Sequence, residues 1–151
     1  IQHRGVPIAV GTLESVSPLN RRFGAIHFSH VIEHLPDPRA FLLDVRRHLD
    51  RDGMGIVVTP NTSGLQARVF GERWRSAIAD HVHLFSERNL IRLLRESGFT
   101  VVATQTWGGL GVGIAPAWLK RPIDRLAKWW GFGDVVLVLF ARDERGDGGI
   151  R

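Results

Sequence analysis

Apolar residues in this chain come in short runs, separated by polar breaks marked with Gly or Pro. Residues 6–10 (VPIAV) predict a short strand ended by Gly11, and residues 15–22 a polar connection containing Pro18. Residues 23–28 (FGAIHF) predict a buried central strand. The polar stretch that follows carries Ser29, His30, Glu33 and His34 and closes on Asp37-Pro38. Asp37 suits a helix N-cap and Pro38 the first helical turn, where a missing N–H costs nothing. Phe41, Leu42, Val45 and Leu49 recur at helical spacing, so a helix is expected over 38–49.

Residues 50–53 (DRDG) then read as a turn, and residues 54–59 (MGIVVT) as a buried strand stopped by Pro60-Asn61. Residues 65–70 fit a short helix and 71–83 a loop holding Trp74, His81 and His83. Ser86 is a candidate N-cap; Leu90, Leu93 and Leu94 share a helix face that ends at Gly98. Residues 99–106 and 135–141 predict two further strands. Between them a Gly-rich stretch leads into residues 115–130, where tryptophans and aliphatics take one face and Lys and Arg the other. Residues 146–151 are a charged, Gly-rich tail expected to be disordered.

Alternating strands and helices imply a Rossmann-like α/β three-layer sandwich, with a mostly parallel sheet and right-handed crossovers. The loops at 11–14, 29–34, 60–61 and 107–113 should then converge on one sheet edge, where such folds bind ligands. The 151 residues read as one domain over 1–145, with 107–133 inserted between the last two strands.

Composition adds limits. Without cysteine there is no disulfide, thiolate metal site or cysteine nucleophile. The pI of 11.1 reflects the absence of Cys and Tyr and the presence of only two lysines, Lys120 and Lys128, as much as the net charge of +5. No specific nucleic-acid recognition is expected from charge alone. No apolar run approaches the roughly 20 residues of a membrane-spanning helix. The chain starts at Ile1 and its single Met is Met54, which suggests a piece of a longer protein.

His34 is the titratable group best suited to proton removal from a hydroxyl or amine, because an imidazole titrates near neutral pH; bracing its own loop is the structural alternative. A metal site joining His81 or His83 to Glu33 or His34 can be drawn, but no spacing demands it, and none is expected. Loop anchoring is the expected role for this histidine pair, with His81 also a candidate for substrate contact. Asn61 either meets substrate or caps a turn, and Trp74 is read as a packing anchor for its loop, with stacking on substrate as the alternative. Residues 115–130 read as an insert helix packed through its tryptophans, as a lid, or as a peripheral membrane contact.

The segments GTLE, FGAIHFSHVIEHLPDPRAFL, HLDRDGMGIVVTPN and HLFSERNLIRLLRESGF, in that order, resemble the second half of class I S-adenosylmethionine-dependent methyltransferases. The likeness is greatest to the group that includes ubiquinone-biosynthesis-type O-methyltransferases. It covers residues 5–106 and the final strand. The family's Gly-rich first motif and the acidic end of its second strand are absent, so the domain is expected to be incomplete at its N-terminus and the isolated chain inactive. The resemblance implies S-adenosylmethionine as cofactor and S-adenosylhomocysteine as product. It puts Thr12 and Leu13 beside the adenine, and backbone at Ser29 and His30 against the methionine portion; a plain turn and loop filler are the alternatives. The acceptor would be an oxygen or nitrogen of a small or lipid-linked molecule. A non-catalytic module binding a partner or membrane is the rival reading. The expected location is cytoplasmic, or peripheral at a membrane. An exposed 23–28 edge would make the isolated chain aggregation-prone or a homodimer.

Overall fold

In the computed structural model, residue 11 and residues 22–108 and 132–143 are described. The expected strand at 6–10, the adenine-side pair Thr12 and Leu13, the helix at 115–130 and the tail at 146–151 lie outside them.

The element order is β1 (Phe23–Ser29), a 3-10 turn (Ile32–His34), α1 (Pro38–His48), β2 (Leu49–Pro60), α2 (Leu65–Phe70), a 3-10 turn (Gly71–Arg73), α3 (Glu87–Glu96), β3 (Phe99–Trp107) and β4 (Val135–Arg142). The caps are the ones local chemistry predicts. Asp37 Oδ1 accepts from Ala40 N at 2.9 Å, and Ser86 Oγ accepts from Asn89 N at 3.1 Å. Gly98 leaves α3 at φ +83°, a conformation that costs glycine little.

The described strands form one four-stranded sheet in the order β1-β2-β4-β3. β2 is parallel to β1 and antiparallel to β4, and β4 is antiparallel to β3. Hence β1, β2 and β3 run one way and β4, the last strand, runs against them. The Rossmann-like arrangement, with helices around a mixed sheet, is as expected.

Two expectations need correction. The strand covered on both faces is β2, with Val57, Val58 and Thr59 all buried, whereas β1 is mostly exposed and only Phe28 is buried along it. Among the described residues β1 pairs on one side only, and Gly24, Ala25 and His27 bring little apolar surface to bury. The DRDG turn is not a break between elements, because β2 already begins at Leu49. Phe23 pairs with Leu49 and Ala25 with Met54, so two steps along β1 match five along β2 and the four residues between bulge from the ladder.

The core lies between the sheet and the α1/α3 layer. Leu42 and Val45 of α1, Leu90 and Leu94 of α3, and Val136, Val138 and Phe140 of β4 are fully buried. Each such side chain contributes roughly 1.5–3 kcal/mol relative to exposure. Phe140 stacks edge-on to Phe99 at 4.7 Å and lies across Gly55, where a Cβ would come within 2.1 Å of its ring. Glycine is required there because the ring occupies the space of a side chain.

Candidate functional site

Ser29 pairs with Val58, and Pro60, Val135 and Trp107 are in register across β2, β4 and β3. The ends of β1, β2 and β3 therefore share one edge, as the alternating pattern required. Residues 29–34, 60–61 and the start of the Gly-rich stretch meet there.

The chain leaves β1 through His30 at φ +52°, a left-handed conformation uncommon outside glycine. His30 N still donates to Val58 O at 2.9 Å, so the turn begins from an intact ladder. The turn drops Glu33 into the interior, where it is fully buried. A buried carboxylate needs partners, and it has them. Thr59 Oγ1 donates to Glu33 Oε2 at 3.0 Å, and His30 Nδ1 lies 3.1 Å from Oε1. Glu33 thus joins the ends of β1 and β2.

His34 is exposed, and its Nδ1 lies 2.8 Å from Asp80 O. A carbonyl oxygen only accepts, so Nδ1 carries the hydrogen and the basic lone pair of the neutral ring is on Nε2. The same argument holds for His81, whose Nδ1 is 2.7 Å from Ser76 O. The two rings meet edge to face with centroids 4.8 Å apart. The loop carrying His81 is docked through buried Trp74 and Phe85 and through His83 N, which donates to Glu33 O at 3.0 Å. Trp74 is 3% exposed, the burial that a packing anchor requires. A ligand atom from each of Glu33, His34 and His81 lies within 4.8 Å of the others, so among the described residues this group could hold a cation.

Ser29 and His30 are both exposed at the end of β1. Asn61 is fully buried: its Nδ2 donates to Gly133 O at 2.8 Å, and its Oδ1 accepts from Ser63 N and Glu87 N. These bonds are the capping role that the sequence held open beside substrate contact. Thr59 was missed as a site residue, and Glu33 was weighed only as a metal ligand. The available signal was a charged residue inside an apolar segment, with a hydroxyl at the end of a β-branched run.

The chemistry available is therefore an exposed imidazole with a defined basic nitrogen, a second imidazole against it and a buried carboxylate behind. A family model described as a methyltransferase domain matches residues 4–104, more than half of the chain. No curated protein matches. Among solved structures, a SAM-dependent methyltransferase of Thermotoga maritima, described as a possible histamine N-methyltransferase, superposes with TM-score 0.60 at 20% identity, over 81% of this chain and 56% of that one. A SAM-dependent methyltransferase of Archaeoglobus fulgidus gives 0.59 at 15% identity, over 88% and 66%. A Haloferax volcanii complex of the Trm112 methyltransferase activator with a methyltransferase gives 0.58 at 15%, over 83% and 56%. At these identities the likeness establishes the fold. The chain spans little more than half of the first of these structures.

Proposed function

The chain belongs to the methyltransferase-domain family, and we propose that it is part of an enzyme moving a methyl group from S-adenosylmethionine to an oxygen or nitrogen. The observation that carries this reading is an exposed His34 at the shared strand edge, its Nδ1 turned to Asp80 O at 2.8 Å. Methyl transfer is an in-line displacement at a sulfonium, which carries the chemistry itself. The protein has to orient the acceptor and take its proton. In this reading His34 Nε2 takes the proton, and Glu33 and the 71–85 loop support the ring's surroundings. Thr12 and Leu13 are assigned to the adenine, and backbone at Ser29 and His30 to the methionine portion. The acceptor is a small or lipid-linked molecule, and His81 borders its path.

Calorimetric titration of the whole protein with S-adenosylhomocysteine, followed by transfer of labelled methyl to a panel of hydroxyl and amine acceptors, tests the reading. His34→Gln should lower transfer by roughly 10²–10⁴-fold while leaving cofactor binding intact. Full activity in that variant would remove the proton-acceptor role. Cofactor binding without transfer to any acceptor would favour a non-catalytic module.

The proximity of Glu33, His34 and His81 favours one second reading, in which the same lone pairs hold a divalent cation that polarises the acceptor. A chelator separates the two: loss of activity restored by a divalent cation supports the ligand role, and indifference supports the base.

A further inference from the structure

The turn after β1 and the loop over 71–85 bring three metal-ligating side chains together. Glu33 and His34 come from the turn and His81 from the loop, and a ligand atom of each lies within 4.8 Å of the others. No spacing along the chain demanded such a group, because His81 reaches it only through the docking of its loop. The loop is joined to the turn by His83 N, which donates to Glu33 O at 3.0 Å, and by the edge-to-face contact of the His34 and His81 rings.

We propose that this group binds a divalent first-row transition ion, zinc above all, and that the ion competes with the acceptor's proton for the lone pair of His34 Nε2. Both imidazoles are prepared as ligands. His34 Nδ1 donates to Asp80 O at 2.8 Å and His81 Nδ1 to Ser76 O at 2.7 Å, which leaves the lone pair of each neutral ring on Nε2. Metal-binding histidines are held in the same way, by a carbonyl or carboxylate on the nitrogen that does not ligate. Glu33 has lone pairs to spare. His30 Nδ1 lies 3.1 Å from Oε1 and Thr59 Oγ1 donates to Oε2 at 3.0 Å, whereas an ionised carboxylate accepts about four hydrogen bonds.

The donor set selects the ion. Magnesium and calcium take oxygen ligands, whereas two imidazoles and one carboxylate suit zinc and its first-row neighbours. Three protein ligands at about 2.0–2.2 Å leave the fourth position of a tetrahedral zinc to water. Ligand atoms around such an ion stand about 3.4 Å apart, so the group closes by an inward swing of the exposed His34 ring. Bound there, the ion ties the 71–85 loop to the turn after β1 and stabilises the folded chain, since the unfolded chain offers no such group. A nitrogen lone pair given to a metal cannot take a proton. The effect on transfer therefore rests on the proton-acceptor reading of His34, and the binding itself does not.

The test uses the whole protein, without a histidine tag and stripped of metal, titrated calorimetrically with zinc chloride and with magnesium chloride. One equivalent of zinc should bind and raise the melting temperature, and magnesium should do neither. His34→Gln and His81→Gln, each checked for its fold by circular dichroism, should weaken zinc binding at least about tenfold, a loss that even outer partners of a ligating histidine produce. Zinc should also inhibit methyl transfer, and EDTA should restore it. Failure of zinc to bind, unchanged zinc affinity in both variants, or equal affinity for magnesium overturns the site. Activation by zinc overturns the competition. Zinc binding that depends on both histidines, in a protein that transfers no methyl, supports the site while removing the transfer reading, so the two failures are told apart.

Discussion

Glu33 is where a single substitution should be felt most. Replacing it with alanine removes the acceptor for Thr59 and His30 at once and is expected to cost about 2–3 kcal/mol in urea denaturation. Thr59→Val, which leaves one carboxylate oxygen without its donor, should cost about 1–2 kcal/mol. If both variants keep wild-type stability, Glu33 is not the joint described above. His30 offers a complementary measurement. A β-branched residue is poorly tolerated at φ +52°, so His30→Val should destabilise by roughly 1–2 kcal/mol beyond His30→Ala. The candidacy of His34 was legible from its chemistry alone. Its pairing with His81 and the carbonyl of Asp80 was not, because a residue 46 positions on comes within reach only when a long loop docks.

Elements whose ends are decided by neighbouring residues were readable in advance. Asp37 and Ser86 cap α1 and α3 through amides three residues ahead, so alanine at either should cost about 1 kcal/mol in melting experiments, and asparagine at 37 much less. α2 shows the contrary case. Its amino end has Gly64 at the cap position, and its Gln66 N–H is satisfied by Asp134 Oδ1 from 68 residues away. No window around 65–70 contains that information. The turn chemistry of 50–53 was equally visible, but a turn residue pattern does not say whether the ladder stops or resumes beyond it. Here it resumes, and the turn becomes a bulge. Gly55 is the other element-scale dependence. Gly55→Ala should cost about 1–3 kcal/mol, because the Phe140 ring would have to leave its place in the core.

Across the whole molecule, Asn61 ties together three regions far apart in the chain: the end of β2, the start of α3 and the approach to β4. Asn61→Ala is therefore expected to destabilise the fold by several kcal/mol while leaving S-adenosylhomocysteine affinity per folded molecule unchanged. A specific loss of acceptor affinity at full stability would instead return Asn61 to the substrate side. The common edge of β1, β2 and β3 followed from alternation alone, since parallel strands joined by crossovers must end on the same side. By itself the sequence determined the strand-helix order, the two side-chain caps and the family, because spacing, cap chemistry and motif order are properties of neighbouring residues. Only the tertiary structure decided that β2 rather than β1 is the buried strand, that Glu33 is an interior joint, and that His81 stands against His34. Burial and convergence depend on which distant surfaces meet, and no local pattern specifies that.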